Sequence, residues 1–129
     1  KLIYKCKNIV MTYTYKNKAN FTALTPLSFL YRTVSIFPNK LAWIYGNRKA
    51  TYQELYLKSK SLALAMKKLN VQKGDVVSVM LPNTPEMIES HFGVPMCGAI
   101  LNTLNTRLEK RNIEFNFISD YFVYLIFIY

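Results

Sequence analysis

The chain has 129 residues, of which 51% are hydrophobic and 19% are charged. This length suits one domain of ordinary size, and the composition is that of a globular chain rather than a disordered one. Lys and Arg number 17 against 7 for Asp and Glu, so the formal net charge is +10. The four glycines are too widely spaced for the two common Gly-rich phosphate loops, and one His with two Cys cannot form a conventionally spaced zinc site. We therefore expect no metal site and no such loop in this chain.

The first part of the chain is basic, because residues 1–53 contain no Asp or Glu. We interpret residues 1–19 as a disordered or spurious N-terminal extension and residues 20–129 as a partial domain. The basic start is also compatible with an organelle transit peptide. Cys6 and Cys97 lack the dense pairing that is typical of secreted domains, so the cytoplasm is the expected compartment.

A helix and a hairpin are predicted first in chain order. Thr25 followed by Pro26 is a typical helix start, and the helix is expected to end before Pro38. Two β-rich stretches around the turn residues Gly46 and Asn47 predict strands over 41–45 and 48–51. The residues of the helix predicted to face the core are Phe29, Leu30, Val34 and Phe37.

The second helix is marked by a capping box. Thr51 and Glu54 have the spacing in which each side chain accepts the backbone N–H of the other residue. The helix is expected to reach Leu69 and to end at Asn70. The residues predicted to form its apolar face are Tyr52, Leu55, Leu62, Met66 and Leu69.

The remainder alternates between apolar strands and capped helices. Strands are predicted over 76–81, 99–102 and 123–128, with helices starting at capping patterns before and after the middle strand. The last apolar run, residues 121–129, is far shorter than the ~20 residues of a membrane span, so no span is predicted. The two capping patterns are Asn83 with Glu86, for a helix to Cys97 kinked at Pro95, and Thr106 with Glu109, for a helix to Ile118.

This order predicts an α/β fold. We expect a partial, mostly parallel sheet with covering helices, preceded by an N-terminal helix and a β-hairpin, as the incomplete N-terminal part of a larger domain. The sheet would keep an open edge, through which the chain could associate with itself.

No residue is predicted to be catalytic. His91 is the single imidazole and lies within a predicted helix, where a structural role is the more common one. Most of the carboxylates are accounted for as caps or turn residues, and neither cysteine has a neighbouring activator.

The charge admits a second interpretation, a small non-enzymatic module that binds polyanions. Ten Tyr and a net charge of +10 suit stacking and phosphate attraction. The basic residues are scattered and no nucleic-acid-binding motif occurs, so specific nucleic-acid recognition is not predicted.

Residues 20–108 resemble the N-terminal portion of the AMP-forming acyl-CoA synthetases, in the adenylate-forming superfamily. NFTALTPLSFLYRTVSIFPNK resembles the opening helix and turn of that family, IYGNRKATYQEL its hairpin and next helix start, and KGDVVSVMLPNTPEM its strand-to-helix unit. HFGVPMCGAILNTLNTRL is similar to the medium-chain and aromatic acid–CoA ligase branch in particular.

The resemblance implies a two-step reaction in the intact enzyme. A fatty or aromatic carboxylic acid attacks ATP to form an acyl-adenylate, and the thiol of CoA then displaces AMP, so ATP, Mg and CoA are the implied cofactors. It also implies that Arg107 lies near a nucleotide phosphate of CoA, while Asn102, Asn105 and Thr106 shape the adjoining turn and cap the next helix. Because the family's phosphate loop is not in this sequence, we expect a truncated fragment that is inactive alone and holds no cofactor.

Overall fold

A computed structural model describes residues 24–109 together with Thr22, Arg111 and the backbone of 122–127. The predicted extension over 1–19 lies outside these residues, as do Cys6 and most of the helix predicted from Thr106 to Ile118. In chain order the elements are α1 (Pro26–Ile36), β1 (Leu41–Tyr45), β2 (Arg48–Thr51), α2 (Tyr52–Lys68), β3 (Val76–Met80), α3 (Pro85–Met96), β4 (Ile100–Thr103) and β5 (Phe122–Phe127). Their order agrees with the prediction except for the helix expected between the last two strands, which lies mostly outside the described residues.

Helix α1 begins as predicted at Thr25. Its side chain accepts the N–H of Ser28, and the Ser28 hydroxyl accepts the N–H of Thr25 in return. The predicted core face is wrong at two positions, because Phe29 and Phe37 are 58% and 53% exposed. The covered stripe instead follows the i, i+3 spacing of Leu27 and Leu30, which leaves Phe29 on another side of the helix, and Phe37 lies beyond the last helical turn.

The hairpin and helix α2 follow the prediction closely. Strands β1 and β2 pair antiparallel around Gly46, whose φ of 56° is the left-handed conformation that the turn requires. Helix α2 then starts at the predicted capping box, in which the Thr51 N–H donates to Glu54 at 2.7 Å and the Glu54 N–H donates to Thr51 at 3.2 Å.

The end of α2 is a Schellman turn. Asn70 adopts a φ of 63°, and the N–H of Val71 reaches back to the carbonyl of Met66 at 3.1 Å. Asn70 therefore ends the helix as predicted. Leu69 is 63% exposed at the cap, so its assignment to the apolar face is wrong.

The second sheet is parallel, with strand order β4-β3-β5. Val77 and Val79 in its central strand have no exposed surface, as expected for a strand covered on both faces. The apolar core lies between this strand and helices α2 and α3, and consists of Ala63, Met66, Val71, Val77, Val79, Leu81, Val94, Cys97 and Ala99. This arrangement is the predicted α/β fold.

Helices α2 and α3 approach each other closely at Gly93. A β-carbon there would lie 2.8 Å from Leu62 Cδ2 and 2.9 Å from the carbonyl oxygen of Ser59. Only a glycine allows this separation, so the position of α3 over the sheet depends on a residue with no side chain.

Two of the predicted helix starts are wrong. Helix α3 has Thr84 rather than Asn83 at its N-cap, and the Thr84 side chain makes no cap bond. This start places Glu86 at the second helical position instead of the third, so the predicted box does not form. Residues 106–109 form a turn and an irregular segment, so no helix starts at Thr106. Pro95 falls in the last turn of α3, where its missing N–H costs the helix the bond to the carbonyl of His91, and the kink expected there stays a prediction.

Candidate functional site

A polar cleft lies where the parallel strands β3 and β4 end. In an open α/β sheet, the loops that leave the carboxyl ends of neighbouring strands face the same crevice, which is the usual ligand position. Here those loops enclose a cavity of about 740 Å³. The cavity is lined by Leu81, Pro82, Asn83, Met87, His91, Thr103, Leu104, Asn105, Thr106 and Arg107.

Arg107 lies on the rim of this cleft in a turn that Asn105 fixes. The N–H of Arg107 donates to Asn105 Oδ1 at 2.9 Å, and the N–H of Leu108 donates to the Asn105 carbonyl at 3.3 Å. Both Asn105 and Arg107 are exposed. The turn therefore holds the backbone of Arg107 in place and leaves its guanidinium accessible to a ligand.

The turn role predicted for Asn102 is wrong. Asn102 lies within β4, opposite Ser78 in β3, and its Nδ2 donates to Ser78 Oγ at 3.1 Å. This bond satisfies a hydroxyl that is fully buried in the central strand. The prediction for Asn105 agrees with the structure, and Thr106 lies in the same turn but caps no helix there.

His91 lines the cleft from helix α3. Its Nδ1 lies 2.8 Å from the carbonyl oxygen of Met87. Because a carbonyl can only accept, Nδ1 carries the hydrogen, and in the neutral ring Nε2 is the acceptor. Nε2 forms no hydrogen bond within the described part of the chain, so this atom is available to a ligand.

A second cavity, of about 390 Å³, adjoins the cleft on the side of the hairpin. Its walls are apolar and come from β1 and from the first turns of α3. The lining residues are Trp43, Ile44, Tyr45, Asn83, Thr84, Pro85, Met87, Ile88 and His91.

The hairpin is fastened to α3 beside this cavity. Arg48 donates to Glu86 at 2.6 Å, and its guanidinium lies 5.9 Å from the ring of Trp43. The ammonium of Lys58 lies 5.7 Å from the same ring and 3.3 Å from Glu89. Two cations thus hold the indole, and each is paired with a carboxylate of α3.

This arrangement changes the ionisation of Glu86. The hydrogen bond from Arg48, followed by those from the Glu86 backbone and Thr84, lowers the pKa of Glu86 to about 2. The same contact raises the pKa of Arg48. The pair therefore stays charged throughout the physiological pH range.

Sequence reasoning singled out Arg107 and the turn beside it but missed most of the cleft. Asn83 and Thr103 were not predicted to belong to it. The predicted parallel arrangement of the strands at 76–81 and 99–102 could have indicated that both residues line one cleft. In such a sheet, the loops that follow neighbouring strands lie at the same edge. Trp43, Arg48 and Glu86 gave no such signal, since their contacts join residues far apart in sequence.

The described residues contain neither a metal-binding group nor a helix that could span a membrane. No group of three or more His, Cys, Asp or Glu side chains that could hold a metal ion occurs among them. Within the same part of the chain, every helix is too short or too polar to cross a membrane.

Comparison with known families gives a match to "AMP-binding enzyme" over residues 30–120. The chain belongs to this family. The matched region begins within α1 and includes the hairpin, both covering helices, strands β3 and β4 and the cleft, so it overlaps most of the segment 20–108 in which the sequence motifs indicated the resemblance.

Curated relatives support the same branch of the family. A peroxisomal benzoate–CoA ligase of Arabidopsis thaliana is 47% identical over 96 residues, and a peroxisomal trans-cinnamate:CoA ligase of Petunia hybrida is 46% identical over 95. Each alignment covers 74% of this chain and 17% of the relative. The chain thus spans less than a fifth of the length of these relatives, and its similarity to acid–CoA ligases of the aromatic branch is confirmed.

Solved structures agree with the fold. The N-terminal subdomain of NpsA from Klebsiella oxytoca matches 81% of this chain with a TM-score of 0.75 and 25% identity, over 27% of that chain. The O-succinylbenzoate coenzyme A synthetase of Bacillus subtilis matches 75% with a TM-score of 0.72 and 27% identity, over 21% of its length. The predicted class, the N-terminal part of an adenylate-forming enzyme, is therefore correct.

Proposed function

We propose that this chain supplies the N-terminal scaffold of an ATP-dependent acid–CoA ligase and that its polar cleft binds a nucleotide phosphate of CoA. In the complete reaction, a fatty or aromatic carboxylate would form an acyl-adenylate and then an acyl-CoA. ATP and Mg supply the activation of the carboxylate when they are bound, and CoA supplies the thiol. The contribution of this chain is binding and orientation.

The observation that supports this proposal is the exposed guanidinium of Arg107 on a cleft without carboxylates. Among the described lining residues none is Asp or Glu, so no acid competes for Arg107 or repels a phosphate. A guanidinium can donate two parallel hydrogen bonds to a phosphate, and such charge-assisted bonds are about twice as strong as neutral ones. The turn held by Asn105 reduces the freedom of the Arg107 backbone before the ligand arrives.

Binding of CoA to the 129-residue chain tests the role of Arg107. We expect titration calorimetry to give weaker binding of CoA to Arg107→Gln by about tenfold or more, the loss for one charged hydrogen-bond pair. Arg32→Gln is the matched control, because Arg32 is exposed on α1, does not line the cleft, and carries the same charge. Equal affinities of both variants for CoA, or equal binding of pantetheine and CoA, would contradict the assignment.

We propose further that the 129-residue chain does not adenylate acids by itself. Among the described residues, no group of three or more His, Cys, Asp or Glu side chains could hold the metal ion that stabilises a reacting triphosphate. A pyrophosphate-release assay with benzoate, butyrate, ATP and Mg is expected to read background. Turnover of either acid above a heat-inactivated control would refute this part of the proposal.

The compartment is also a proposal. We retain the cytoplasm as the expected location, with an organelle as the alternative. The relatives named above carry the word peroxisomal in their names, which favours testing that organelle first. Fluorescence microscopy of the tagged protein against a peroxisomal marker distinguishes the two.

A further inference from the structure

A third cavity, of about 200 Å³, shares no lining residue with the polar cleft or with the cavity beside the hairpin. We call it the tyrosine–lysine pocket. Tyr31 of α1 and Met96 of α3 contribute to its wall. The rest of the wall is a stripe of α2 that includes Tyr56, Lys60, Leu64 and Lys67.

This stripe places an apolar side chain between two cations. Its residues follow one another at intervals of three or four positions, so their side chains lie on one side of α2. Lys60 and Lys67 are separated by about two helical turns, or roughly 10 Å. Leu64 lies between them and is 52% exposed.

The two tyrosines form an aromatic wall that joins α1 to α2. The ring centroids of Tyr31 and Tyr56 are 5.8 Å apart, and the ring planes meet at 82° in an edge-to-face contact. The ammonium of Lys60 lies 5.9 Å from the Tyr56 ring. Tyrosine offers a large contact area at a low cost in conformational entropy and is enriched at protein interfaces.

The charges at this pocket favour an acidic partner. Within the described part of the chain Lys60 and Lys67 form no ion pair, whereas Lys58 of the same helix pairs with Glu89. No Asp or Glu occurs among the described residues that line the pocket. An acidic surface would therefore meet two uncompensated cations, and a basic one would be repelled.

The size of the pocket favours a side chain over a complete small molecule. Its volume of about 200 Å³ is below the roughly 300–1,000 Å³ that is typical of small-molecule sites. A second copy of this chain is not the expected partner, because it carries the same net charge of +10.

We propose that the tyrosine–lysine pocket docks an acidic segment of another polypeptide. One apolar side chain of that segment inserts against Tyr31 and Leu64, and its carboxylates pair with Lys60 and Lys67. The site uses neither Arg107 nor any other residue of the polar cleft, so it is independent of the proposed function.

Synthetic peptides test the pocket directly. The probes are short fluorescein-labelled peptides of Glu and Gly with a single Leu, Met or Phe at the centre, and a matched peptide with Ser in that place. Fluorescence anisotropy with the 129-residue chain measures their affinities. We expect saturable binding of at least one apolar-centred peptide and about tenfold weaker binding of the Ser peptide, because its side chain contributes no apolar burial.

Two pairs of variants locate the binding. Leu64→Gln is expected to weaken it about tenfold, whereas Leu57→Gln, 48% exposed on the same helix but outside the pocket, leaves it unchanged. Lys67→Gln is expected to weaken it about threefold and to reduce its salt dependence. Lys68→Gln, also in the last turn of α2 but outside the pocket, leaves it unchanged. Circular dichroism of the four variants excludes loss of fold as the cause.

Absence of saturable binding by every peptide, or binding that Leu64→Gln leaves intact, would overturn the docking site. If the Ser peptide binds as tightly as the others and heparin displaces all of them, the surface attracts polyanions through charge alone and the docking site is contradicted. Binding of CoA is expected to be the same for Leu64→Gln and the parent, so the proposed function is judged separately.

Discussion

Arg107 and Asn105 illustrate how much one turn determines at this site. The Asn105 side chain holds the N–H of Arg107, so a residue in an exposed loop acquires a defined position without being buried. Side-chain amides that bond two residues ahead are a common feature of turns, and a turn role was predicted for Asn105. The ligand that contacts the Arg107 guanidinium is identified by the binding experiments described above.

The Arg48–Glu86 pair provides a test of stability at this scale. The Glu86 pKa in the folded chain is about 2, below its ordinary value of 4.5, so the pair stabilises the fold above pH 4.5. That contribution is lost as the pH falls from 4.5 to 2. Because the Arg48 side chain is 52% exposed, water and salt screen the pair, and we expect its contribution to stability to be small.

Chemical denaturation of Glu86→Gln at several pH values measures this effect. The free energy of unfolding of the variant is expected to be lower than that of the parent at pH 7. Near pH 2 the two free energies are expected to become similar. Glu109→Gln, an exposed carboxylate without an ion pair in the described part of the chain, serves as the control. A difference between Glu86→Gln and the parent that does not vary with pH would contradict the assignment.

Among the elements, helix α3 depends most on an exact separation from its neighbour. Gly93 faces Ser59 and Leu62 of α2 so closely that a methyl group would meet the Ser59 backbone oxygen at 2.9 Å. A glycine within a helix ordinarily costs about 0.5–1 kcal/mol relative to alanine. Here the gain in helix propensity is opposed by a clash with backbone, which cannot move aside as the end of a side chain can.

Gly93→Ala is therefore expected to destabilise the chain, by about 1–3 kcal/mol as in other overpacked cores. The thermal midpoint measures it. Ser61→Ala, at an exposed position of α2, is the control and is expected to change stability by less than about 0.5 kcal/mol. A rise in the midpoint on Gly93→Ala would mean that the two helices are not this close in solution.

The sheet edges bear on self-association, which remains our proposal. Among the described strands, β4 and β5 are the outer ones, and unpaired strand edges favour pairing with another chain. Ile100 on β4 is 56% exposed. We expect sedimentation velocity to detect concentration-dependent association, reduced in Ile100→Lys but not in Leu57→Lys; a monomer at all concentrations would count against it.

Most elements could be predicted from the sequence because their signals are local. The Thr51–Glu54 box, the turn at Gly46 and the apolar run of β3 each lie within a few residues. Two of the misassigned side chains bond residues that are distant in sequence: Glu86 accepts from Arg48, and the Asn102 amide donates to Ser78. The cleft was found only in part for the same reason, since its walls come from separate loops.

The whole molecule is strongly basic, and the polyanion-binding alternative belongs at this scale. With a net charge of +10, we expect retention on heparin that falls steeply as salt rises, because the attraction depends on counterion release. Binding to DNA is expected to be independent of sequence. Sequence-dependent DNA binding that persists at about 0.15 M salt would favour the polyanion-binding module over the ligase scaffold.

The chain is proposed to be a scaffold that shares its family with acid–CoA ligases, and a chimera tests this proposal most directly. Residues 30–108 would replace the aligned segment of the Arabidopsis benzoate–CoA ligase, which is 47% identical to this chain over 96 residues. We expect the chimera to form benzoyl-CoA, and Arg107→Gln within it to raise the KM for CoA while leaving the KM for ATP unchanged. A folded chimera without ligase activity, or one in which Arg107→Gln does not affect the KM for CoA, would contradict the account.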